Sequence, residues 1–450
     1  MRAAISPPAF RTAEELRCMS TLTTTDVAVE RISRSAWGLL IFLTSLNVLN
    51  FVDRMLIASL APLLIADLGL SRAQIGLLAG FGFVFFYTLV GLFLGVAADR
   101  FRRFPLIAAG VALWSAMTAL SGMARSFVQL AIPRLFVGIG EATLTPASLS
   151  MLSDAFPPRR LGLAVGVYYA GIPMGLAVAL ISSSLIAPRF GWRVCFYALG
   201  IIGLVATVLL SVLREPERRR SIAAGGEGTV APPMPRPPVR ELLRDLRRAL
   251  VDRPSLVLAL AGGSLLCYGS GAALLGVTWL VQERGFTYAD AAFRAGIVAV
   301  SAGLIGNLAG GAFGDFCARR FRGGRLWSLV IMTAFFTVPA YLYYSSTPGT
   351  PLFYICWFFT SAGTTAWFGP LFSAYQELSP VQARSTMVAF ALLVLNLLGV
   401  GPGPLITGMI GDARGLSFGL VVSLVVTALA IVPFALAARS ESAREAAVPK

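Results

Sequence analysis

The sequence predicts an all-α membrane protein with twelve spans in two six-helix halves, on three observations. The 450 residues are 56% hydrophobic and 13% charged, with a mean hydropathy of +0.76; a soluble chain carries about 25% charged residues. Apolar segments of roughly 20–28 residues, long enough to cross a hydrocarbon core, recur along the chain. A short pattern also repeats. Gly95-Val-Ala-Ala-Asp-Arg100 follows the second segment, and Gly311-Ala-Phe-Gly-Asp315 follows the eighth, 216 residues on with the same Gly-to-Asp spacing. Pro157-Pro-Arg-Arg160 and Pro380-Val-Gln-Ala-Arg384 form a second pair, opening the fifth and eleventh segments.

Taken in order, residues 1–36 form a polar tail with five Arg. No apolar run follows a basic start, so no cleaved signal peptide is expected. Spans are expected at 37–64, 73–97, 104–123, 127–150, 161–187 and 194–213, making an N-terminal half over 37–213. A linker follows at 214–254. It holds Arg218-Arg-Arg220, a Gly-rich piece and Pro232-Pro-Met-Pro-Arg-Pro-Pro238, which is expected to be extended or disordered. In Val239-Arg-Glu-Leu-Leu-Arg-Asp-Leu-Arg-Arg-Ala-Leu250 apolar residues recur at helical spacing, predicting an amphipathic helix lying on the membrane surface. The second half, 255–438, holds spans at 255–282, 295–314, 326–345, 352–376, 385–407 and 416–438, and a tail closes the chain at 439–450. Ser346-Thr-Pro-Gly-Thr-Pro351 reads as a tight turn between the ninth and tenth spans.

Charge sets the topology. With the N-terminus inside, 28 of the 37 Lys and Arg fall on the inner side, seven on the outer, and two, Arg54 and Arg134, within spans. Both termini are therefore expected in the cytoplasm. The net charge of +15 marks that side and is not a nucleic-acid footprint. One Lys among many Arg, with abundant Ala and Gly, points to a GC-rich bacterial genome and hence a bacterial inner membrane. Five scattered Cys and no His indicate neither a disulfide framework nor a metal site, and no cofactor is expected. Without His, proton chemistry must run on carboxylates. No nucleophile constellation or phosphate-binding Gly-rich loop is present, which argues against an enzyme and against ATP drive through such a loop.

The chemistry gathers in Asn47-Val-Leu-Asn-Phe-Val-Asp-Arg54, inside the first span. At 100° per residue Asn47, Asn50, Asp53 and Arg54 share about a third of the helix circumference. Such a stripe in a membrane helix faces a protein interior or a wet cavity, because ionised groups in lipid cost several kcal/mol. In the fourth span Arg134 and Glu141, seven apart, share a face at about 10 Å along the axis, with Gly138 between them.

These residues carry a resemblance. Gly95-x-x-Ala-Asp-Arg-x-Arg-Arg103 resembles the signature loop of the major facilitator superfamily, and Arg134-Leu-Phe-Val-Gly-Ile-Gly-Glu-Ala142 its fourth-helix motif. The two parallel six-helix repeats fit the same fold, with substrate held between the halves. Asn50-Phe-Val-Asp-Arg54, Gly138-Ile-Gly-Glu-Ala142, Ser153-Asp-Ala-Phe-Pro157, Tyr168-Tyr-Ala-Gly-Ile-Pro-Met-Gly175, Ala383-Arg-Ser-Thr386 and Gly401-Pro-Gly-Pro404 resemble the Spinster branch of lysolipid transporters. Organic-anion symporters share the Asp-Arg and Gly-Glu-Ala pieces, and Phe101-Arg-Arg-Phe104 lacks a Gly often found in the signature loop.

The resemblance implies that Asp53, Arg54, Arg134 and Glu141 meet in a central cavity. Burial opposes the charged form of a carboxylate and a neighbouring Arg favours it, so a carboxylate between the two can take a proton. The expectation is that Asp53 and Glu141 carry the proton while Arg134 or Arg54 holds an anionic headgroup. The competing reading is a fixed network of four structural charges. Asp99, Arg100 and Arg103 with Gly95 are expected to latch the halves, with Asp315, Arg319 and Arg320 as counterpart. Gly91/Gly95, Gly306/Gly310/Gly314 and Gly399–Gly403 are expected to pack helices closely. Asn307, Gln376 and Asn396 are the main polar candidates of the second half.

The function expected is a proton-linked secondary transporter working by alternating access on a lysophospholipid-like or other amphiphilic anion. Its partners are that substrate, protons and the bilayer; the resemblance implies a monomer. A proton symporter of small organic anions, a drug exporter, and a membrane receptor that moves nothing are the alternatives. Gate motifs in both halves argue against the last.

Overall fold

The computed structural model describes residues 34–100, 102–212, 239–380 and 384–447, excluding the side chains at 92–100, 158–159, 239–243, 245, 249, 384–385 and 447. The Pro-rich linker segment, most of the N-terminal tail, Ala383 and the last three residues lie outside them. Among the described residues twelve spans are present, in two halves. The first is one helix, Arg34–Leu68; the second runs Arg72–Gly76, Leu77–Phe81 and Gly82–Arg100, its middle piece a π turn. The third is Arg103–Ser121, the fourth Phe127–Glu141 and Leu144–Ala155, the fifth Pro158–Tyr169 and Gly171–Phe190, the sixth Trp192–Val212. In the second half the seventh is Pro254–Ala272, Ala273–Leu275 and Gly276–Glu283, the eighth Tyr288–Arg320, the ninth Gly324–Ser345. The tenth is Pro351–Ala366 and Phe368–Leu378, the eleventh Arg384–Leu395, Asn396–Val400 and Pro402–Arg414, the twelfth Leu416–Ala428 and Ile431–Ala447.

Eleven of these are apolar and long enough to cross a membrane on length and composition. The tenth falls short because Thr360-Ser-Ala-Gly-Thr-Thr-Ala-Trp367 dilutes its apolar character. Proline explains four of the interruptions. Pro146, Pro173, Pro370 and Pro433 each follow by four residues Ala142, Tyr169, Ala366 and Leu429, where the helices break. A Pro ring clashes with the carbonyl four residues back and offers it no N–H. The break at Ala142 places Glu141 on the last turn of its helix.

One apolar core, including Leu56, Leu60, Trp192, Trp279 and Phe353, joins both halves at the end away from the termini. Toward the termini it gives way to two separate cores, one in each half. The glycine stripe of the eighth span does pack as expected: a side chain at Gly310 would collide with the Ala366 carbonyl, which Pro370 leaves free, and Gly306 and Gly314 lie as close to the same span. Gly91 makes no such approach. The linker helix, Val239–Asp252, buries Leu246 in the core of the second half and leaves Arg244, Arg247 and Arg248 exposed. Its apolar face thus rests partly on protein, where the sequence suggested the membrane surface.

Candidate functional site

The first and fourth spans bring the four charges together as two crossed pairs. Arg134 Nη1 donates to Asp53 Oδ1 at 2.7 Å, and its Nη2 to the Asp53 backbone carbonyl at 3.4 Å. Thr118 of the third span donates its hydroxyl to Asp53 Oδ2. All three residues are buried. Arg54 Nε stands 3.6 Å from Glu141 Oε2, an ion pair without a hydrogen bond. Among the described residues neither Glu141 oxygen makes a hydrogen bond of full geometry, although the residue is 1% exposed and the Asn50 amide stands close to it.

Arg54 differs from Arg134 in its surroundings. Its side chain is 20% exposed. Its guanidinium lies over the rings of Phe51, Phe83 and Tyr87 at 5.0, 4.7 and 4.4 Å from their centroids. Arg134 shares only the Phe83 ring, at 5.7 Å. An aromatic face attracts a guanidinium by about 0.5–2 kcal/mol, more when water is excluded. Arg54 is therefore supported even when its carboxylate partner is neutral.

The two asparagines separate. Asn50 stands beside Glu141, and its Nδ2 has no hydrogen-bond partner. Asn47 instead donates to the Tyr168 carbonyl at 2.8 Å, next to the break in the fifth span. That bond braces the first span on the fifth and keeps Asn47 out of the charge cluster.

The expected latch residues sit at the end bearing the termini. The side chains of Gly95, Asp99, Arg100 and Arg384 lie outside those described. Arg103, fully buried, donates to Asp154 and to Ser150 within its own half. Asp315 pairs with Arg325 at 2.7 Å, not with Arg319 or Arg320, and Arg325 also holds Glu377 at 2.5 Å. Arg103 and Arg325 thus play matching parts, each near the start of the span after the signature loop and each holding an acid from the end of the span that follows. Sequence reasoning missed Arg325 because it follows the turn at Gly323 rather than the repeated motif. Asp154 lay inside a quoted motif and was given no role.

Between described residues, the hydrogen bonds of full geometry and the ion pair that link the halves gather at the opposite end around Arg72; the Tyr288 hydroxyl of the eighth span also stands beside Ser59 and Ser183 of the first half. The backbone N–H groups of Arg72 and Ala73 donate to the two Asp412 oxygens at 2.9 and 3.0 Å. The Arg72 side chain donates to the Gly411 carbonyl at 2.5 Å and to Gln282 at 3.0 Å, and stands 3.6 Å from Glu283. Glu283 also accepts from the Ser417 N–H and hydroxyl, both at 2.7 Å, at the start of the twelfth span.

A cavity of about 350 Å³ lies between the halves near the closed end. Met55, Ala58 and Ser59, just beyond Arg54, form one wall; Tyr343, Tyr344, Trp357 and Phe368 form part of another. None of its lining residues is charged, and Asn307, Gln376 and Asn396 are not among them. Asn307 and Gln376 are exposed. The hydroxyls of Ser270, Thr360 and Thr364 donate to carbonyls of their own helices. Their hydrogens are spent, and the walls present mainly methyl groups and rings.

Two six-helix halves closed at one end around a buried charge cluster define a multi-pass membrane transporter. The chain belongs to the Major Facilitator Superfamily, whose family model matches residues 43–402. It is 29% identical to an MFS-type efflux pump of Mycolicibacterium smegmatis over 86% of this chain and 87% of that protein. It is 25% identical to Protein spinster of Drosophila melanogaster over 85% of this chain, a match that spans 63% of that protein. The fold is similar to a bacterial homologue of the human lysosomal transporter Spinster in an inward-facing, unoccupied conformation, with a TM-score of 0.78 and 24% identity, covering 91% and 98% of the two chains.

Proposed function

We propose that the protein moves an amphiphilic anion of the lysophospholipid type across a bacterial cell membrane, coupled to protons, by alternating access. The observation that carries this reading is Glu141, a buried carboxylate that among the described residues makes no hydrogen bond of full geometry and has the neutral Asn50 amide near its oxygens, set against an Arg that is partly exposed and caged by rings. Protonating Glu141 removes the charge that competes for Arg54. The guanidinium is then free to take a phosphate or carboxylate group, bidentately if the geometry allows. The headgroup belongs at Arg54 and the tail in the neighbouring uncharged cavity. The end bearing the termini is the cytoplasmic one by charge distribution, so the conformation is closed outward and faces inward. The signature-loop residues Gly95, Asp99, Arg100 and Arg103, with Asp315 as counterpart, belong to the inner latch that forms when the cycle reverses.

Export of an apolar, drug-like compound is the second reading: the likeness to an efflux pump suggests export, and the uncharged cavity favours an apolar cargo. Ligand-dependent thermal stabilisation separates them. A lysophospholipid is expected to raise the midpoint of the wild type, and Arg54→Gln to abolish that rise without lowering the midpoint of the ligand-free protein by more than a few degrees. Stabilisation by an uncharged drug-like amphiphile alone, insensitive to Arg54→Gln, contradicts the anion reading. Stabilisation by a small organic acid and not by a lysolipid keeps the site and overturns the substrate class.

A further inference from the structure

The two buried carboxylates are not equivalent, and the difference traces to a residue on neither charged helix. We propose that Thr118 is a positioning residue that reserves the transported proton for Glu141 by holding Asp53 as the ionised counter-ion of Arg134. The inference rests on the proton-coupled reading above and divides its labour.

Asp53 has a donor on each oxygen, Arg134 Nη1 on Oδ1 and the Thr118 hydroxyl on Oδ2. Hydrogen bonds to the charged form of a carboxylate favour that form. Neutralising Asp53 would also strand Arg134, which is 1% exposed and has one ring beside it; an uncompensated buried charge is strongly unfavourable. Glu141 has the opposite setting. Among the described residues its oxygens make no hydrogen bond of full geometry, the neutral Asn50 amide standing close to them, and Arg54 keeps three aromatic faces and some exposure when Glu141 becomes neutral. The other charged or titratable groups around the pair are Arg54 on the first span, Arg134 on the fourth and Tyr87 on the second, with Tyr168 and Tyr169 of the fifth next to Tyr87. The third span brings only the Thr118 hydroxyl, itself fully buried. Thr118 touches neither Glu141 nor the cavity and acts through Asp53 alone.

Infrared difference spectroscopy of the purified full-length protein during acidification tests this without a ligand. The wild type is expected to gain one buried carboxylic-acid band that Glu141→Gln removes and Asp53→Asn leaves in place. Thr118→Val, which keeps the shape and loses the donor, is expected to add a second titrating band, removed in turn by Asp53→Asn. Thr118→Ser, which keeps the hydroxyl, is expected to restore the single-band spectrum. Thr118→Ala gives the same reading as Thr118→Val if the valine variant does not fold. A wild-type band removed by Asp53→Asn, or a Thr118→Val spectrum identical to wild type, overturns the inference and leaves proton coupling standing. No band sensitive to either Glu141→Gln or Asp53→Asn overturns proton coupling, and this inference with it.

Discussion

Glu141→Gln is expected to remove the pH dependence of anion binding while leaving the fold intact. Gln has the shape of the protonated acid and no charge. Arg54 stays supported by Phe51, Phe83 and Tyr87, so the substitution strands no buried ion. In the wild type a falling pH is expected to neutralise Glu141 and release Arg54, and affinity for the anion should rise by at most about tenfold per pH unit for one proton. The variant is held in the released state. Its affinity should match the acid-side value of the wild type and change less than about twofold across the same range. Asp53→Asn provides the contrast, because it breaks a buried hydrogen-bonded pair and should lower stability by about 3–5 kcal/mol. Thermal midpoints with and without lysophospholipid, at two pH values, read both effects. A pH dependence that survives in folded Glu141→Gln places the proton elsewhere.

The second large effect is expected at the closed end. Arg72→Ala removes three side-chain contacts to the second half, and Asp412→Asn replaces the charge held by two backbone N–H groups at the start of the second span. These contacts are partly exposed and individually modest, but among the described residues they are the main polar links between the halves, beside the Tyr288 hydroxyl near Ser59 and Ser183. Each substitution should shift the equilibrium toward the outward-open state by about tenfold, the worth of one net hydrogen bond to a charged group. Leu280, 1% exposed here and lining the cavity, reports the change. A membrane-impermeant thiol reagent added outside should label Leu280→Cys slowly, and faster once Arg72→Ala or Asp412→Asn is added. Equal labelling rates, measured against the same protein without Leu280→Cys, would show that the apolar core alone closes this end.

The sequence carried the architecture because a bilayer leaves few solutions. Apolar runs of spanning length, a Lys/Arg asymmetry and a repeated loop admit little besides two parallel six-helix halves. Asp53, Arg54, Arg134 and Glu141 were equally visible, since ionised residues inside such runs demand an explanation. Their pairing was not. Spacing puts Asp53 and Arg54 on one face, and only the docking of the fourth span, with its break at Ala142, assigns Arg134 to one and Glu141 to the other. Thr118 carried no signal, being one more hydroxyl in an apolar helix where most such groups bond their own backbone. Asn47 looked identical to Asn50 by periodicity. It parts from Asn50 because the fifth span breaks at Ala170, beside a carbonyl in its reach. Arg72 was counted only as an outer-side charge. Its role depends on Asp412, 340 residues away along the chain, and no local pattern links them.

Proton-driven transport is the central claim, and vesicles reconstituted with the purified protein test it most directly. A pH gradient imposed with no other driving force should move a labelled lysophospholipid across the vesicle membrane, read by its extraction with external albumin. The account predicts movement that stops when a protonophore collapses the gradient and is absent in Glu141→Gln. Gradient-independent movement, equal in wild type and Glu141→Gln, would contradict it.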